Sequence, residues 1–183
     1  MRVPFYKETF VSKLGERSED GPAEFELSMV FGEDLVRLKS MIFAIMATAN
    51  TTGDRWTPAL QESATGAFRS GPRVFVNGVK NVHNLTAPAA VCRAVGLKVP
   101  DRTPDDEEIP IRTGAEFALI APCIPTLAFE VALEINSLTI KAAIDPRFTE
   151  RPSGSPSKPA ATSGTADAAP STSSGSATAD VQA

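Results

Sequence analysis

Histidine occurs once in this chain, at His83, and cysteine only twice, at Cys92 and Cys123. A structural zinc site needs about four ligands, so three such residues do not supply one. Two distant cysteines also cannot form the disulfide framework of a small secreted domain. No glycine-rich phosphate loop is present. The longest largely apolar run, Met41–Ala49, falls well short of the roughly 20 residues that span a bilayer as a helix. Met1–Phe10 holds no apolar stretch of signal-peptide length. A cytoplasmic location is therefore expected (the host-cell cytoplasm if the chain is viral), and the Asn50-Thr51-Thr52 and Asn84-Leu85-Thr86 sequons read as chance matches. Positive charge does not predominate either. Net charge is −4, which leaves no broad cationic footprint for nucleic acid or an anionic membrane.

What the chain does have is a hydrophobic content of 42% over 183 residues, enough for one domain of ordinary size. The composition changes near Glu150. From there to Ala183 the sequence is rich in Ala, Ser, Thr, Pro and Gly, and Val181 is its one large aliphatic residue. Such a stretch buries too little apolar surface to offset about 1–2 kcal/mol of backbone entropy per ordered residue. The expectation is a single α+β domain over residues 1–149 and a disordered tail over 150–183, serving either for solubility or as a tether.

The N-terminal third predicts an antiparallel strand pair followed by a helix. Phe25, Leu27, Met29 and Phe31 alternate with Glu24, Glu26, Ser28 and Val30, the period of a half-buried strand. Phe5–Leu14 is its natural partner, across a long loop at Gly15–Ala23. Gly32-Glu33-Asp34 opens a helix with acids where its dipole favours them. Leu35, Leu38, Ile42, Ile45 and Ala49 recur at helical spacing, yet Met41–Met46 is apolar almost all round. Such a helix is central to a core or docks on a partner.

Thr57-Pro58 predicts a capped helix carrying Leu60, Ala64 and Phe68 on one side, stopped at Ser70-Gly71-Pro72. Arg73–Val82 carries Asn77-Gly78, the residues of a type I′ turn, and predicts a second hairpin; a loop over Gly71–Val82 feeding a helix is the other reading. Thr86–Ala94 reads as a short helix, and Lys98–Pro110, with its acidic run, as a surface loop. Thr113-Gly-Ala-Glu116 fits a capping box. It opens a C-terminal helical pair broken at Pro122 and Pro125, whose second member runs to about Leu138. Ile124, Leu127, Ala128, Val131, Ile135 and Leu138 form its apolar stripe.

Candidate chemistry is thin. His83 with Cys92 lacks a third residue to orient the base, and a loop histidine is the simpler reading. Asp105–Glu108 lacks the alternate ligand spacing and glycine of a calcium loop and reads as a solvated loop. Glu130 and Glu134 could pair as carboxylates but suit a solvent-facing helix side. Arg69, Arg73 and Lys80 around Phe75 resemble stacking-plus-phosphate recognition, though three cations in an acidic chain fit ordinary surface charge. No catalytic residue, cofactor or metal site is expected, and the chain is read as no enzyme. Interaction remains, either through β-augmentation on the Glu24–Phe31 strand or through an adaptable surface near Met41 and Met46. The residues expected to meet a protein partner are Leu35, Leu38, Ile42 and Met46 on the first helix, and Leu127, Val131 and Ile135 on the last.

The order of segments resembles that of tail assembly chaperones from long-tailed bacteriophages. The matching stretches are Glu24-Phe-Glu-Leu-Ser-Met-Val-Phe-Gly-Glu-Asp-Leu35, strand into helix, and Thr113 to Leu138, the closing helical pair. The Arg73–Val82 hairpin has no place in that pattern. The resemblance implies a non-enzymatic phage-tail-assembly factor that binds an aggregation-prone client, the tape-measure protein or the tail-tube protein, with homo-oligomers possible. The alternative is a structural subunit of a phage or phage-like particle, in the tail or the head–tail connector.

Overall fold

Gly32 adopts a left-handed backbone conformation, φ +56°, where a side chain would be strained. It turns the chain out of a strand and into its first long helix. In this computed structural model, which describes residues 7–13, 21–52 and 56–145, three strands, β1 (Lys7–Val11), β2 (Glu24–Ser28) and β3 (Val79–His83), form an antiparallel sheet in the order β1-β2-β3. Helices α1 (Gly32–Thr52), α2 (Pro58–Ser70) and α3 (Arg73–Gly78) lie between β2 and β3 in sequence. Then come β4 (Thr86–Pro88), α4 (Ala89–Ala94), β5 (Glu108–Pro110), α5 (Gly114–Ile120), a 3₁₀ turn at Ala121–Cys123 and α6 (Pro125–Ile144). The architecture is α+β. All described residues fall within the compact unit bounded by Met1 and Arg151. The expected tail at 150–183, and most of the expected loop at Gly15–Ala23, lie outside the described residues.

The expected strand pair forms, with Phe10 opposite Phe25 and Thr9 opposite Glu26. Phe25 and Leu27 are buried while Glu24 and Glu26 stay partly exposed, the alternation of a strand with one face on a core. β2 is not an edge, however. It is flanked on its other side by β3, in a register that shifts between Glu26 and Leu27. The strand is also shorter than its apolar pattern: it ends at Ser28, and Phe31 is exposed.

Five phenylalanines tie the elements together. Phe10 stacks on Phe25 at 6.2 Å, Phe25 meets Phe117 edge-on at 5.1 Å, Phe117 meets Phe75 at 5.3 Å, and Phe75 meets Phe68 at 5.5 Å. The row runs from β1 through β2, α5 and α3 to α2. Edge-to-face pairs contribute about 0.5–1.5 kcal/mol each beyond their area burial.

The largest correction is at Arg73–Val82. Residues 73–78 are helical, and β3 pairs with β2 rather than with residues 73–76. Pro72 sits in the αR region and starts the helix, whose adjacent Val74 and Phe75 are both buried. Asn77 makes no turn; its amide donates to Asp34 Oδ2 at 2.6 Å, pinning α3 to the start of α1. Gly78 serves close packing, since a Cβ there would lie 2.7 Å from Ile135 Cδ1. Smaller corrections follow. Thr86–Pro88 is a strand paired with Glu108–Pro110, so α4 starts later than expected and the loop ends sooner. The last helix continues to Ile144. Both caps are present: Thr57 accepts from Leu60 N–H, and Thr113 and Glu116 complete a capping box.

α6 is anchored at both ends. Glu130 accepts from Ser12 Oγ at 2.6 Å and from Lys13 N–H at 3.1 Å. Further along, Val30 N–H donates to Thr139 Oγ1. Because Val30 lies two residues before α1, the start of α1 lies beside the last turns of α6, and the two helices run antiparallel.

Gly114 is the tightest approach of two backbones. A Cβ there would clash with the Val79 carbonyl and come within 2.7 Å of the Phe75 carbonyl oxygen. Neither is a flexible side chain that can yield. Gly114→Ala is therefore expected to cost about 2–4 kcal/mol, in the range of forced overpacking and backbone strain. A urea titration measures it, with Ala115→Gly as the control for helix propensity.

Candidate functional site

Each long helix leaves an apolar side uncovered. On α1 the buried side carries Leu38, Met41, Ile42 and Ile45. On its outer side Phe43 is 76% exposed and Met46 50% exposed. These two residues are three apart and so share a face, which continues over Ala47 and Asn50, both exposed. From Ser40 to Thr52 the helix has no charged residue. On α6, Leu133, Ile140 and Ile144 are exposed at spacings of seven and four, again a single face.

The two faces adjoin. Met46 and Asn50 of α1 line one apolar cleft together with Phe129 and Leu133 of α6, Leu60 of α2, and Trp56. Its volume is about 250 Å³. Trp56 stands edge-on to Phe129 at 5.9 Å. A hydrogen bond between the Thr48 and Ser63 hydroxyls at 3.1 Å ties α1 to α2 nearby. Asn136, three residues beyond Leu133 on α6, has a buried Oδ1 with no hydrogen-bond partner.

Of the seven residues expected to meet a partner, the structure places five in its own core: Leu38, Ile42, Leu127, Val131 and Ile135. Leu35 is partly buried against that core, and Met46 alone is well exposed. The correction has a simple cause. Both helices are apolar around much of their circumference, and the stripe that periodicity picks out is the one the core takes. The residues missed were Phe43, Leu133, Ile140 and Ile144. On α1 the signal was the absence of charge from Ser40 to Thr52; α6 carries Glu130, Glu134 and Lys141 beside its exposed apolar residues and gave no such signal.

The other candidates come apart. Cys92 is fully buried, with Sγ donating to the Ala87 carbonyl. His83 sits on an exposed strand end, 4.0 Å from Glu26 Oε1. The acidic run is bound to α4: Arg93 pairs with Asp105 and donates to the Thr103 carbonyl, and Ala89 N–H donates to the Glu107 carbonyl. Among the described residues no group of three or more His, Cys, Asp or Glu could hold a metal ion. Phe75 is buried between Phe68 and Phe117, so Arg69, Arg73 and Lys80 have no exposed ring beside them there. Glu130 is a structural acceptor rather than half of a carboxylate pair. β2 is central, Val82 N–H on β3 donates to the Arg112 carbonyl, and among the described residues no strand pairs with β1 on the side away from β2. No helix among the described residues is long and apolar enough to cross a membrane.

Burial pushes the Cys92 thiol above its ordinary range, with Glu108 adding a smaller upward effect. A raised pKa keeps the sulfur protonated at neutral and mildly alkaline pH, while Cys123 is exposed. A thiol-reactive chromophore at pH 8 is expected to label one cysteine quickly in the folded protein and two after denaturation. Fast labelling of both in the folded state would contradict the burial. Compared with protein-family models, curated proteins and solved structures, the chain matches none.

Proposed function

We propose that this protein is a non-enzymatic binding factor that holds an apolar helical segment of another protein along the α1–α6 face. The carrying observation is the uncharged outer side of α1, with Phe43 and Met46 exposed, beside exposed Leu133 and Ile140 on α6. Helix-in-groove recognition uses such a surface, with anchor side chains at i, i+3/i+4 and i+7 of the bound helix. An exposed apolar area shared by two helices marks an interaction site more often than isolated exposed residues do. Met46 at the cleft supplies an unbranched, polarizable side chain that adapts to different anchors.

The segment-order resemblance gives the proposal its particular form. It is a tail-assembly chaperone of a phage or phage-like particle, whose client is a long helical protein such as the tape-measure or tail-tube protein. Net charge of −4 favours keeping such a complex in solution.

The test is capture of the client from the native host with affinity-tagged full chain, followed by mass spectrometry and quantification. The expected result is one long, heptad-patterned helical protein, reduced at least tenfold in Phe43→Asp and Leu133→Asp and unchanged in Val76→Asp. Val76 is exposed on α3, which contributes no residue to the cleft. Equal capture by all four proteins would overturn the assignment of the face.

A further inference from the structure

The two outer strands of the sheet are held by different means. β3 buries Val79 and Val82 in the core, Val82 N–H donates to the Arg112 carbonyl, and Asn81 forms a β-bridge with Thr113. β1 buries none of its five side chains fully: Lys7, Glu8, Thr9 and Val11 are exposed, and Phe10 is half-buried. Phe10 is the end of the phenylalanine row and the one ring of its five that is not fully buried. The other four rings therefore keep their mutual contacts without it.

Beyond its pairing with β2, β1 is tied to α6 by polar contacts. Where the strand ends, one carboxylate takes two donors: Glu130 accepts from Ser12 Oγ at 2.6 Å and from Lys13 N–H at 3.1 Å. Ser12 is buried, so water competes poorly for its bond, and a charged acceptor makes a hydrogen bond stronger than a neutral one. At the other end Glu8 meets Lys141 at 3.7 Å, with both side chains about half exposed. An ion pair so exposed contributes little. Glu130 is the main fastening.

We infer that β1 is a detachable strap, latched by Glu130, that opens locally while the rest of the domain stays folded. Segments with few buried apolar contacts open at a lower free energy than the core around them, and β1 has one half-buried ring where β3 has two buried valines. Opening uncovers the β2 backbone from Glu24 to Ser28, the pairing edge that β1 otherwise occupies. The latch thus controls whether the sheet presents a strand that combines Phe25 and Leu27 with unpaired backbone groups, the combination that pairs with other chains. The inference is independent of the α1–α6 face and of any client held there.

Hydrogen–deuterium exchange read by mass spectrometry on the purified full chain tests it. The β1 amides are expected to exchange at least tenfold faster than those of β3. Glu130→Ala, and Ser12→Ala from the strap's own side, are each expected to speed β1 by roughly a further tenfold, the weight of a hydrogen bond to a charged group, while β3 and α5 keep their native rates. Glu134→Ala, one turn along α6, removes a carboxylate without touching the latch and is expected to change neither strand. The inference is overturned if β1 and β3 exchange at one rate in the native chain, or if β1 is unmoved in both latch variants. It is equally overturned if Glu134→Ala speeds β1 as much as they do, or if β1 and β3 accelerate together, which would make β1 part of the cooperative core.

Discussion

The fold hangs on the row of phenylalanines from Phe10 to Phe68. Each ring belongs to a different element: the contacts join β1 to β2 and α3 to α2 between chain neighbours, and β2 to α5 and α5 to α3 across long stretches of sequence. The three rings of α2, α3 and α5, with Phe25, are fully buried, and burying one such side chain contributes about 1.5–3 kcal/mol. The backbone follows from this. For the Phe117 ring to reach both Phe25 and Phe75, α5 must approach α3 so closely that only glycine fits at position 114. Gly78 separately leaves room for Ile135 of α6 against α3.

Once those rings occupy the centre, α1 and α6 are left as long outer helices with more apolar circumference than the core can use. α6 gives the core Leu127, Ala128, Val131, Ala132, Ile135, Leu138 and Ala142, and still presents Leu133, Ile140 and Ile144 outward. α1 behaves likewise. An apolar face on two antiparallel helices, joined by a cleft and free of charge over three turns of α1, is the physical basis of the binding function proposed above. Loss of that face, by charge at Phe43 or Leu133, would leave the phenylalanine row and the sheet untouched. The exposed apolar face and the folding core are thereby separate in this molecule.

The sequence made the locally determined features readable. Thr57-Pro58 and Thr113-x-x-Glu116 fix their helix starts through hydrogen bonds within four residues, and the alternation at Glu24–Ser28 fixes a strand by its own period. Nonlocal contacts defeated the rest. Asn77-Gly78 carries a strong turn signal, yet Asp34, more than forty positions away, takes the asparagine amide and Ile135 needs the glycine's missing side chain. β4 and β5 are three residues each, too short to show a period. At the candidate face, periodicity identified the right helices and the wrong sides of them. Only packing decides which side of a helix that is apolar nearly all round becomes core.

The central claim is that the α1–α6 face is covered when the protein works. Hydroxyl-radical footprinting compares the protein in its native host lysate with the purified chain at high dilution. The account predicts that Phe43 and Met46 are oxidised readily in the dilute protein and protected several-fold in the lysate. Buried Met41 should stay unreactive in both and exposed Val76 reactive in both. Equal oxidation of Phe43 and Met46 under the two conditions would contradict it.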